Sequence, residues 1–586
     1  MPVVISSPNS VHTPFKNLSN RARMIVLPWL IGTGVAAMQP QLQDLNKALM
    51  EAAKKGDVKS AESALEKGAD PNARVFGTWL NYTPLLQAIT NGRRNVAELL
   101  LDWGADPYAE DENHDTPIGF AAEKGKEAIL DLLLSRGVPI DWKSSVGWTP
   151  AERGDLDVLL NYGIDPNQRT ADGSCLLTMA AFNDSPEQLK LLIDHGANLN
   201  AQDDEGNTAL MVAIYQNRQK AITFLINAGA DLNIQNKSGE SALSRAIGFR
   251  TNTASVLIEH AANVNLADQS GKTLLMEAAS TASLAVFNQL LSHGADVHAR
   301  TKTGETAAHF AAGFSGLDWD NARSVENRRN LIEIISALEA HGADLKALNT
   351  AQKSALHFAA DTGYAGTVQK LLDKQLDPRG ADTHGDTPLH VAIASHTADR
   401  IEKVKLLIGS GVNVQNKDGD SPLHIAATGM DASICSILLE RGALIDQPNQ
   451  KAQTPLLLAA SSFNRQYVGA KTYAEVIRLF AARTSAIDSR DDTKMTAAMW
   501  AGASDVPEAL DAIIAKGADI NARSADGRDC LMWAASANAT KTIQFLLRRG
   551  ADVKAKDNAG RSAANWARLL GYDQTMRQLD IESAGK

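Results

Sequence analysis

Cysteine is scarce in this chain: Cys175, Cys435 and Cys530 are all it has in 586 residues. They lie far apart, with neither framework nor metal-ligand spacing, which excludes a disulfide scaffold and a cysteine metal site. They read as small buried apolar side chains. Aromatic residues are also few, 5% against 44% hydrophobic, so small aliphatic side chains have to fill the interior. Positive charge is not in excess, since 58 Lys and Arg face 68 Asp and Glu, a net charge of −10 with no basic run. That balance argues against an electrostatic nucleic-acid interface. Long apolar runs are missing as well. The best candidate, 24–37, would span about 21 Å as a helix, short of a ~30 Å hydrocarbon layer. A stable transmembrane anchor is therefore disfavoured.

What the chain has is a unit of 33 residues repeated from near Asp44 to the C-terminus. A Gly-Ala-Asp turn marks it at Gly68, Gly104, Gly229, Gly294, Gly342, Gly517 and Gly550. A second marker precedes the turn, by 21 residues at Ser421-Pro422-Leu423-His424 and Ser354-Ala355-Leu356-His357 and by 24 at Thr387-Pro388-Leu389-His390. Ala-Ala often follows shortly after the His slot, as at Ala426-Ala427. These markers resemble the ankyrin repeat, in about sixteen copies over roughly nine-tenths of the chain. The resemblance implies an all-α repeat fold: an ankyrin-type α-solenoid with short β-hairpin fingers between helix pairs. A stack of repeats also resolves the length, which is too great for one compact core.

The unit at 526–557 shows how the pattern works. Asp526-Gly527 is a tight-turn dipeptide. Leu531, Ala534 and Ala535 share one face of a first short helix, and Ile543, Leu546 and Leu547 one face of a second. Gly550 ends that helix in the left-handed region. Departures from the 33-residue step divide the array. A shortened unit at 149–167 closes a first block, 44–167; a main block follows over 168–557, with inserts near 313–330 and 461–473; 558–586 is a C-terminal capping repeat.

Trp500, Trp533 and Trp566 hold one repeat position, 33 residues apart. Stacked repeats would align them as an aromatic stripe where partner side chains dock. Because Val212, Phe310, Phe358, Val391, Ile425 and Leu458 fill the same slot elsewhere, framework packing is the competing account. Trp319, in the first insert, and Trp79, in the fingertip 76–82, are further candidate partner contacts. The alternative for the inserts, the second of which carries Phe463 and Tyr473, is that their rings tuck onto the helix pair. His309, His357, His390 and His424 share a slot without carboxylates or cysteines at ligand spacing. The resemblance implies that each imidazole hydrogen-bonds between neighbouring loops. Acidic fingertips such as Asp203-Asp204-Glu205 lack the order of a calcium loop and read as solvated turns.

No Gly-x-Ser-x-Gly elbow, phosphate loop or His-Glu-x-x-His occurs, and no stretch outside the repeats is long enough for an enzyme domain. The expectation is a non-enzymatic, monomeric scaffold for a partner protein, with no cofactor and no metal. A structural spacer or self-assembling element is the alternative. Residues 1–37 combine a basic flank (Arg21, Arg23), a short apolar core and a Val35-Ala36-Ala37 ending. They read as a secretory signal, placing the protein in a periplasm or outside the cell; a leader packed on the first repeat would leave it cytoplasmic.

Overall fold

In a computed structural model of the chain, residues 35–74, 81–112, 116–123, 126–138, 156–161, 165–167, 169, 173–249, 252–314, 322–463 and 468–585 are described. They form two compact units, Met1–Arg245 and Ala246–Lys586. The sequence reading places its block boundary at 167/168, beside residues outside the description.

Each regular repeat is a seven-residue helix followed by a nine-residue helix, as in Pro422–Thr428 and Ala432–Glu440. Helices this short are marginal in isolation, so their ends and shared faces decide the fold. Thr or Ser stands at the N-cap of most first helices; Thr208 accepts the Met211 N–H and Thr454 the Leu457 N–H. Inside, Leu423, Ala426 and Ala427 are buried against Ile434 and Leu438. The alanines let neighbouring first helices approach closely. At Gly502 the approach is so near that a Cβ would lie 2.7 Å from the Cys530 sulfur.

The second helix ends at the glycine of the turn. Gly550 has φ +85° and donates its N–H to the Leu547 oxygen, and Ala551 donates to Leu546. Asparagine then ties one turn to the next: Asn265 donates to the Gly294 oxygen at 3.1 Å and accepts the Asp296 N–H at 2.9 Å. The same pair of bonds joins Asn413 to Gly442 and Leu444.

The fingers contain no strand among the described residues. Five carry an isolated antiparallel bridge, such as Gln202 with Thr208 and Arg490 with Thr496. What holds them is a backbone bond from each fingertip to the next. In the second unit this runs unbroken from Ser270 through Thr303, Ala351, His384, Asp418, Lys451 and Thr493 to Asp526, each carbonyl accepting an N–H from the following finger.

The four histidines act as frame. Each Nδ1 accepts the N–H of the Thr or Ser three residues earlier, and each Nε2–H donates to the next finger, to Lys353, Asp386, Asp420 and Gln453 in turn. A ring that accepts on Nδ1 and donates from Nε2 is neutral.

The inserts are largely helical. Ala322–Ala340 is a 19-residue second helix and Ala470–Arg483 one of 14, so much of what the sequence reads as an enlarged turn is extra helix. Their described rings tuck inward. Phe314 packs on Tyr364 with Leu331, and Phe463 stacks on fully buried Tyr473 at 4.3 Å. Tyr82, the last residue of the early fingertip, is buried edge-on to Phe120.

Candidate docking surface

Trp500, Trp533 and Trp566 each stand at the fourth position of a first helix, Ala497–Ala503, Cys530–Ser536 and Ala563–Leu569. Thr496, Asp529 and Ser562 cap these helices by accepting the N–H of Met499, Met532 and Asn565. The capping residue fixes where the helix begins, and so which face the fourth residue takes. All three indoles are half-buried. Met495, Met499 and Ala522 lie beneath the first two.

The three rings share one surface, and one stack runs through them. Trp500 and Trp533 are stacked with centroids 6.4 Å apart and planes 29° apart. The Arg528 guanidinium carbon lies 3.4 Å from the Trp533 ring centre and 4.5 Å from that of Trp566. Arg561 sits 4.1 Å from the Trp566 centre. The order is therefore Trp500, Trp533, Arg528, Trp566, Arg561. Guanidinium placed over indole is the favourable arrangement for a cation and an aromatic quadrupole.

Each indole N–H is already spent on a residue nine positions earlier, at the base of its finger: Asp491 at 3.2 Å, Ser524 at 3.3 Å and Asp557 at 3.0 Å. The rings thus pin first helix to finger, so framework packing and a shared outward stripe hold together. Arg528 Nε donates to Asp526 at 2.5 Å and Arg561 Nε to Asp557 at 2.9 Å. Burial opposes charge on Asp557, but the hydrogen bonds from Arg561, Ala559 and Trp566 prevail and keep it below the usual carboxylate range. Asp526 is held down in the same way, burial being outweighed by Ser524 and Arg528. Asp529 is pushed up by burial despite its bond from Met532.

The two arginines are absent from the sequence reading, although a signal exists. Each precedes its tryptophan by five residues and the pairs recur 33 apart; Met495 fills that position before Trp500. Trp79 and Trp319 lie outside the described residues. No group of three or more His, Cys, Asp or Glu among the described residues could hold a metal. The cysteines are free and buried, and burial pushes the Cys435 thiol up to about 12. No described helix is long and apolar enough to cross a membrane.

The family model for ankyrin repeats, three copies per match, fits residues 21–111, 151–236, 228–301, 322–408, 394–471 and 467–557. The chain belongs to the ankyrin repeat family. Such repeats generally mediate protein–protein interaction and are generally non-catalytic. Among similar proteins, mouse 2-5A-dependent ribonuclease is 42% identical over 86 residues, 15% of this chain and 11% of that one. Human ankyrin repeat and KH domain-containing protein 1 is 34% identical over 107 residues, 18% and 4% of the two chains. Human SH3 and multiple ankyrin repeat domains protein 2 is 36% identical over 92 residues, 15% and 5%. In each of these relatives the chain matches no more than 11% of the length, and what is shared is the repeat.

Proposed function

We propose that this ankyrin repeat chain is a non-enzymatic scaffold that holds a partner protein in its concave groove and against its fingertips, with the face of Trp500, Trp533 and Trp566 as the main contact. The observation that carries this is the alignment of three indoles from consecutive repeats on one surface, neither sealed in the core nor scattered. Aromatic and arginine side chains concentrate binding energy when a partner covers them. The test is capture of a partner from extracts of the source organism by the full chain and by the triple variant Trp500→Leu, Trp533→Leu, Trp566→Leu. The reading expects unchanged helicity and lost capture. Retained capture removes the stripe from the interface; no capture by either, with concentration-dependent oligomers, favours a self-assembling spacer over a monomeric scaffold.

We propose as well that residues 1–37 direct export, for the reasons of composition given above. They fall mostly outside the described residues; the helix Val35–Lys55 begins just before the expected cleavage point. N-terminal sequencing and fractionation after expression in a bacterial host decide it. A mature start at Met38 in the periplasm supports export, and an intact Met1 in the cytosol refutes it.

A further inference from the structure

The stack leaves one kind of group unmet. Arg528 and Arg561 each use Nε on a carboxylate of their own finger. Among the described residues no acceptor pairs with Nη1 or Nη2 of either. A guanidinium carries five donors in a rigid fork, and its Nη edge matches a carboxylate with two parallel bonds. Here the forks are fixed against indole faces, so little side-chain freedom is left to lose on binding. The Arg528 side chain is only 15% exposed and that of Arg561 39%, which shields an incoming anion from water on one side. The indoles add no competing polar group, because their N–H donors are taken.

We propose that this face takes an acidic segment of the partner protein, in extended conformation, with carboxylates at alternate positions on Arg528 and Arg561. The inference rests on reading the tryptophan face as the docking surface. Spacing favours the extended form. Both guanidinium carbons lie within 4.5 Å of the same Trp566 ring centre, and alternate side chains of a strand emerge on one side ~7 Å apart. Residues between the two carboxylates point away, and apolar neighbours further along can lie on the edges of Trp533 and Trp500.

The test uses the full chain and a fluorescein-labelled peptide of ten residues alternating Glu and Thr, read by anisotropy. Its controls replace every Glu by Gln or by Lys. Saturable binding of the Glu peptide alone is expected, weakened at least about tenfold by Arg528→Gln with Arg561→Gln and weakened by salt as exposed charge pairs are. Circular dichroism of the double variant checks that it folds. Lack of saturable binding by the Glu peptide, or equal binding by the Gln peptide or by the double variant, overturns the proposal. The docking surface is judged separately: capture of the partner that is lost with the tryptophan variant but kept by the arginine variant retains the face and removes the acidic segment.

Discussion

The Nε2–H of His390 donates to the backbone oxygen of Asp420 at 3.1 Å, one repeat on, while Nδ1 of the same ring accepts the Thr387 N–H at 3.2 Å. A proton on Nδ1 would destroy the second bond and place a charge in the frame. His309, His357, His390 and His424 are all held below the ordinary 6.5, burial being the first cause, opposed by the bonds to neighbouring carbonyls and the charge of nearby carboxylates. The unfolded chain therefore binds protons that the fold refuses. Stability is full above about pH 6.5 and declines as pH falls from there toward the depressed folded values. Urea midpoints measured from pH 7.5 to 5 should drop, and replacing His357 and His390 by Gln should flatten the decline. A midpoint constant over that range would show that these rings do not set the response.

Among the described residues, two repeats put a residue other than glycine at the left-handed position of the turn. Ala261 has φ +60° and Gln375 φ +58°, and both make the usual bonds, Ala261 to Ile258 and Gln375 to Leu372. Side chains pay a steric cost in the left-handed region that glycine avoids, partly offset by glycine's greater freedom when unfolded. Ala261→Gly and Gln375→Gly should each stabilise by up to about 1 kcal/mol. Thermal or urea denaturation measures it; destabilisation by either change would mean the native side chain makes a contact worth more than the strain.

Glycines within one repeat are not equivalent. Gly419, at a fingertip, and Gly442, at a turn, have φ +79° and +84°. A Cβ on Gly442 meets nothing within 4 Å, whereas one on Gly419 would lie 2.6 Å from the Gln450 nitrogen, whose N–H bonds Asp418 across the fingers. Gly442→Ala should cost about 1–2 kcal/mol from backbone strain alone. Gly419→Ala should cost more, because backbone must move and an inter-finger bond is at stake. Equal losses would mean the finger ladder adjusts freely.

How much of this could be read beforehand follows from what each feature depends on. The Gly550 turn, the Thr387 cap and the Ala426-Ala427 face depend on residues within one repeat, and a sequence displays them directly. The stripe of Trp500, Trp533 and Trp566 was legible because a fixed period converts sequence position into a shared face. Arg528 and Arg561 keep the same period, but period alone does not say whether a long arginine side chain lies over a ring, as these do on Trp533 and Trp566. The long helix Ala322–Ala340 was hidden for a different reason. Its first turns, with Arg323, Glu326, Arg328 and Arg329, are polar like a loop, and only Leu331, Ile334, Ile335 and Leu338, all buried, carry helical periodicity. For the inserts, contact and inward packing stood as alternatives, because aromatic rings in inserts give no sign of which way they turn; Phe314 and Phe463 pack on Tyr364 and Tyr473.

Lys403 gives the second titration. Its side chain is fully buried, with Nζ donating to the oxygens of Asp361 and Gly363 at 3.2 Å and 4.0 Å from the Asp399 carboxylate. Burial lowers its pKa from 10.5 to about 8, against the pull of Asp399 and Asp361. Below pH 8 folded and unfolded chains both hold the proton and this residue adds no slope. Between about 8 and 10.5 the unfolded chain keeps a proton the fold has released, so its contribution to stability rises with pH. Cys435, raised to about 12 from 9.0 by burial, acts oppositely above pH 9, because there the unfolded thiol ionises first. The wild-type slope alone is therefore mixed, and the comparison with Lys403→Met isolates the lysine. Wild type minus variant, from urea midpoints at pH 7.5, 9 and 10, should grow with pH. A difference independent of pH would mean that Lys403 reaches water and titrates near its ordinary value.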